Sequence, residues 1–225
     1  MTYCDIANQY ISDVLDGTEP SCKWVKLACQ RQKINLESGV VGYTFDTEKA
    51  ERVCKFIYNI PHVKGKVKGK KVELSPWWVF IYTTLIGWVD CDGNRRFNLA
   101  YISVARKDSK STGLAPLLLY LAFAEGEGGA EVYSAATTKD QAGILYRTAR
   151  SMIRGCPELA DFYGLKIAGG NIEKSSAGSL YQPASGSYIQ ALSRDQGGNH
   201  DGLDVHAAGV DELHAHKTRD VWDVI

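Results

Sequence analysis

FNLAYISVARKDSKSTGLAPLLLYLAFAEG, residues Phe97–Gly126, is a β-branched and aromatic run, then a basic and polar loop, then a long apolar segment at helical spacing. That order predicts a strand over Asn98–Val104, a turn holding Ser109-Lys110-Ser111-Thr112, and a helix over Ser111–Ala124. A strand, a phosphate-sized loop and a helix make a nucleotide-binding turn, because first-turn amides and a lysine face phosphate while a hydroxyl meets magnesium. In this reading Lys110 balances charge on the outer phosphates and Ser111 binds the metal. Arg106 and Lys107 add positive charge above the phosphates.

Downstream, AEVYSAA (Ala130–Ala136) predicts a second strand, and Thr138–Arg154 a helix with Ile144, Leu145, Thr148, Met152 and Ile153 inward. Strand, helix, strand, helix implies parallel strands with right-handed crossovers. Short strands are expected at Leu165–Ala168 and Ser179–Gln182 and a better one at Ser187–Leu192, before the polar loop Arg194–Asp204. VHAAGV (Val205–Val210) then ends in Asp211-Glu212. A strand-end aspartate holds magnesium through water, and the adjacent glutamate polarises the attacking water as general base. Taken alone the pair reads more simply as an acidic helix cap; its conjunction with Lys110 and Ser111 favours catalysis.

Upstream, apolar positions at helical spacing predict two short helices within residues 3–35, divided by the turn signal Gly17–Pro20, and a third over Thr47–Tyr58 capped by Asp46-Thr47. VKGKVKGKK (Val63–Lys71) carries five lysines, either a contact to a phosphate backbone or a solvated basic linker. The segment from Leu74 to about Gly87, with Ser75 to cap and Pro76 at the first position, reads as a buried helix too short to span a bilayer. Asp90–Asn94 is a turn.

Composition is that of an ordinary globular protein: 225 residues, 44% hydrophobic and 23% charged, with 26 basic and 26 acidic side chains. Zero net charge gives no general affinity for nucleic acid, so partners must be argued from sites. The six cysteines form no CxxC pair and read as reduced thiols, while His206, His214 and His216 lack the companion ligands of a zinc site.

Several peptides together carry a family resemblance. CKWVKLACQR, FDTEKAERVCKFIYNIPHVKGKVKGKKVELSPWW, GWVDCDGNRRFNLAYISVARKDSKST, TTKDQAGILYRTARSMI and HDGLDVHAAGVDELHAH resemble, in order and spacing over nearly all of residues 10 to 216, the large subunit of tailed-phage terminases. The resemblance implies an α/β P-loop NTPase of the ASCE type, with a mostly parallel sheet, flanking helices and a helical amino-terminal lead-in. Residues 1–72 are expected to form that lead-in with its basic loop, and residues 73–225 the ATPase domain. The implied activity is ATP hydrolysis with magnesium (Mg2+), driving double-stranded DNA into a procapsid in the host cell cytoplasm. The alternative is a fragment that binds DNA or its partners and hydrolyses little ATP. Implied partners are DNA, the small terminase subunit and the portal protein, with a homo-oligomeric ring forming on the portal and no membrane involved.

Position by position, the family's phosphate loop falls on Ala105, Arg106, Lys107, Asp108, Ser109, Lys110, Ser111 and Thr112. Its acidic pair falls on Asp211 (metal) and Glu212 (catalytic base), with Lys110 and Arg106 also in catalytic roles. Its adenine-side element falls on Leu74–Trp78, placing Trp77 and Trp78 by the base; Trp78 replaces a glutamine, so stacking remains but the paired hydrogen bonds do not. Gln141, Arg147 and Arg150 are candidate nucleotide sensors or an arginine finger. Two departures stand out: Ser109 replaces the glycine before the lysine, where a left-handed backbone costs serine about 1 kcal/mol and is expected to weaken nucleotide binding, and Pro116 falls inside the following helix. The family's nuclease domain is not expected within these residues.

Overall fold

The computed structural model describes residues 1–105, 108–136, 139–168, 178–193 and 202–212. Two compact units divide the chain: Met1–Tyr58 with Glu73–Val104, and Asn59–Val72 with Ala105–Ile225. Residues 73–104 fall in the first unit because the helix they contain packs on the amino-terminal helices.

In the first unit, α1 (Tyr3–Asp16) starts at a capping box. The Thr2 hydroxyl accepts from the Asp5 amide at 3.0 Å and the Asp5 carboxylate accepts from the Thr2 amide at 2.7 Å. α2 (Lys23–Ser38), β1 (Thr44–Phe45) and α3 (Thr47–Tyr58) follow; α3 is capped as its sequence suggests, Asp46 Oδ1 accepting from the Lys49 amide at 3.0 Å. α4 (Pro76–Gly87) is apolar around its circumference, so burial on more than one side is the only stable solution, and α1 and α3 both pack against it. Ser75 stands at its N-cap but its hydroxyl makes no capping bond, contrary to expectation; Pro76, lacking an N–H, is what suits the helix start. α4 ends in β2 (Trp88–Val89), which pairs antiparallel with β1. Gly87 is required there, since a Cβ would come within 2.5 Å of the Phe45 ring.

The second unit is layered. α5 (Lys110–Phe123), β3 (Glu131–Ala136), α6 (Lys139–Arg154), α7 (Pro157–Phe162), β4 (Lys166–Ile167), β5 (Ser179–Tyr181), β6 (Tyr188–Ser193) and β7 (Val205–Val210) succeed one another. The sheet order is β4-β5-β6-β3-β7. β6, β3 and β7 are parallel, with Ala136 opposite Ser193 and Ala135 opposite Val210, so their carboxyl ends share one rim; β4 and β5 extend the far side antiparallel. The sheet is thus mixed, its parallel half being the α/β core that the sequence pattern implied. α5 and α6 pack together and against the parallel strands, and nearly every α5 side chain after its first turn is buried. The helix runs through Pro116 to Phe123.

One expected element is absent. Residues 97–105 form no strand: Leu99 and Tyr101 are 65% and 78% exposed, and no ladder partner lies beside them among the described residues. The run has strand composition, but a strand exists only where a neighbour completes its hydrogen bonds. No helix among the described residues is long and apolar enough to cross a membrane.

Candidate nucleotide-binding site

The site is built where the amino end of α5 meets the carboxyl end of β7. Ser109 is the N-cap of α5 and lies in the left-handed region, φ 54° and ψ 18°, the conformation expected of a residue standing in for glycine. Its carbonyl accepts from the Gly113 amide at 2.8 Å, closing the first helical turn, and the Asp108 amide donates to the Ala105 carbonyl at 3.3 Å just before it. No acidic residue occupies that first turn. The helix start therefore presents amides without an intrahelical partner, the positive end of its dipole and the Lys110 ammonium together, which calls for an anion.

A carboxylate from β7 currently answers that call. The Asp211 amide donates to the Ala135 carbonyl at 3.1 Å, prolonging the β3–β7 ladder by one residue and fixing the side chain at the rim. Its Oδ1 accepts from Lys110 Nζ at 2.8 Å, with the aspartate side chain 13% and the lysine side chain 39% exposed. The same oxygen accepts from the Glu212 amide at 2.9 Å. Glu212 is the other non-glycine residue with positive φ among those described, at 52°. Gln141 Nε2, on α6, donates to Glu212 Oε2 at 3.2 Å. The structure thus brings together Lys110, Asp211, Glu212 and Gln141 from two helices and one strand end, at the carboxyl rim where open α/β sheets bind ligands. Ser111 and Thr112, half-buried in the first turn of α5, offer hydroxyls that with the Asp211 carboxylate make a hard-oxygen donor set suited to magnesium.

Other anticipated residues fall elsewhere. Arg106 and Lys107 lie outside the described residues, as do His214 and His216. Trp77 and Trp78 belong to the first unit: Trp78 is 5% exposed, stacked between Trp77 (4.4 Å between centroids) and Tyr82 (5.2 Å), so within its own unit it is a core residue. Arg150 is 1% exposed, its guanidinium over the Tyr146 ring at 5.5 Å; that burial does not suit a finger reaching across a subunit boundary, and Arg147, half-buried, remains the better placed of the two. The Gln141–Glu212 bond has no sequence signature, because nothing local tells a helix-start glutamine that its partner lies 71 positions away. Sequence reading also missed a tie between Glu125, just after α5, and His206 on β7, at 2.8 Å. An ionisable residue within an otherwise apolar strand was its available cue.

A family model for the ATPase domain of the terminase large subunit matches residues 76–225. Among solved structures, the crystal structure of the bacteriophage HK97 large terminase superposes with a TM-score of 0.62 at 22% identity. The alignment covers 78% of this chain and 34% of that one, so this chain spans about a third of that terminase's length. No curated protein matches. At such identity the likeness speaks for the fold.

Proposed function

The chain belongs to the family of terminase large-subunit ATPase domains, and from that premise we propose that its second unit hydrolyses ATP to drive double-stranded DNA into a viral procapsid. The observation that carries the reading is the 2.8 Å contact between Lys110 and Asp211, which joins the helix start that cradles phosphate to the strand end that carries the acidic pair. ATP enters with its outer phosphates on the α5 amides, and Lys110 turns from Asp211 to the phosphates, while Arg106 and Lys107 add positive charge from the same loop of sequence. The Ser111 hydroxyl and the Asp211 carboxylate would hold magnesium, which when bound supplies neutralisation of phosphate charge. Glu212 takes the proton of the attacking water as its oxygen bonds to the γ-phosphorus and the bond to the β-phosphate oxygen breaks, releasing ADP and phosphate. Gln141 orients the Glu212 carboxylate, and Arg147 serves a neighbouring subunit's nucleotide.

Assembly on a portal as a ring, with a small terminase subunit delivering DNA in the host cytoplasm, completes the proposal. Phosphate release by the chain, with Lys110→Ala and Glu212→Ala beside it, is the test. Each substitution is expected to lower the rate by at least about 100-fold, in keeping with lost electrostatic and general-base assistance. A wild-type rate no higher than either variant's favours the other reading, a DNA- and partner-binding module with little hydrolysis.

A further inference from the structure

The lysine run 64–71 plays no part in the site above, yet it is a shaped element of the second unit. The His62 amide donates to the Lys70 carbonyl at 2.8 Å, the Gly69 amide to the His62 carbonyl at 2.8 Å, and the Val72 amide to the Ile60 carbonyl at 2.9 Å. Pro61 and Lys71 form an antiparallel bridge. A 3-10 turn, Gly65–Val67, makes the tip, and Gly65 (φ 71°) and Gly69 (φ 84°) take the left-handed bends on either side. The base is anchored: Pro61 and Val72 are buried, Lys71 Nζ donates to Asn59 Oδ1 at 3.2 Å, and Pro61 lies 3.0 Å from where a Gly155 Cβ would sit, just beyond α6. Beyond that base every residue from 64 to 71 is exposed.

Charge on the loop is of one sign. Residues 59–72 contain five lysines and no acidic residue, in a chain whose net charge is zero. We propose that this loop docks on the phosphate backbone of double-stranded DNA, with Lys64, Lys66, Lys68 and Lys70 supplying ammonium groups that neutralise phosphates without reading base sequence. The choice of DNA as the polyanion rests on the terminase reading; the shape and charge of the loop do not. Protein interfaces are centred on aromatic and arginine anchors, and the exposed loop holds neither. Lysine is a point charge suited to phosphate contacts that position rather than specify. Because backbone hydrogen bonds already hold the loop closed, docking costs little ordering entropy.

The full chain is titrated against a fluorescent duplex of arbitrary sequence, by anisotropy, between about 50 and about 200 mM salt. Replacing all four lysines by glutamine is expected to flatten the slope of log affinity against log salt by about 3 to 4, some 0.9 per phosphate contact. Replacing them by arginine keeps the slope, and changing the duplex sequence leaves both unaltered. A glutamine variant that melts like wild type and keeps the wild-type slope overturns the proposal. So does displacement of the duplex by poly-glutamate at equal charge concentration, which would assign the loop to acidic proteins. Lys110→Ala, run in parallel, should retain the wild-type slope, so loss of hydrolysis and loss of the DNA contact are read separately.

Discussion

Ser109 shows how a single backbone angle redistributes a cost. Its left-handed conformation is part of the fold of the chain, where an L side chain costs about 1 kcal/mol against folding. Ser109→Gly should therefore raise the melting temperature by up to about 2–4 °C while changing nucleotide affinity by less than twofold or so, since about 0.4 kcal/mol is all that factor represents. A large gain in affinity without a thermal shift would place the strain in the bound state instead. The neighbouring Lys110–Asp211 pair makes a second forecast. A divalent cation and an ammonium compete for Asp211 Oδ1, so magnesium alone should bind poorly and bind better once Lys110 is replaced by alanine. Calorimetric titration with magnesium in the absence of nucleotide reads this directly; wild-type binding as tight as the variant's would mean that the ammonium does not guard the oxygen.

At the scale of elements, β7 is positioned by close contact with α5 and α6 at Gly209. A Cβ there would stand 3.0 Å from both Leu118 Cδ1 and Leu145 Cδ2. Gly209→Ala should cost about 1–3 kcal/mol through overpacking and, by pushing the strand off its helices, slow phosphate release as well. Circular-dichroism melting and a phosphate assay together check it, and an unshifted melt would show that the leucines give way. Helices α1 to α6 and the strands β3, β6 and β7 were legible in sequence because period and length separate them, as in the apolar face of Thr47–Tyr58 or the short run VHAAGV; the six-residue α7 was not, being too short to show a period. Residues 98–104 were not, since a β-branched and aromatic run records a preference for a pleated surface and says nothing of whether a neighbour supplies one. Lys110, Asp211 and Glu212 stood out as motifs, and the structure brings the three together. The Gln141–Glu212 and Glu125–His206 bonds were not, being made by tertiary approach alone.

For the molecule as a whole, balanced charge is the property that matters most in solution. With 26 basic and 26 acidic side chains the chain has no net repulsion near pH 7, so its solubility should be lowest there and rise about two pH units to either side. Static light scattering across that range checks it, and minimal scattering at neutrality would contradict it. The sheet has a less uniform character. Among the described residues β7 pairs with one neighbour, β3. The strand that holds Asp211 and Glu212 at its tip is thereby anchored like a cantilever. Under the proposed mechanism, a further strand pairing beside β7 would stiffen that tip and change the hydrolytic rate without touching the nucleotide.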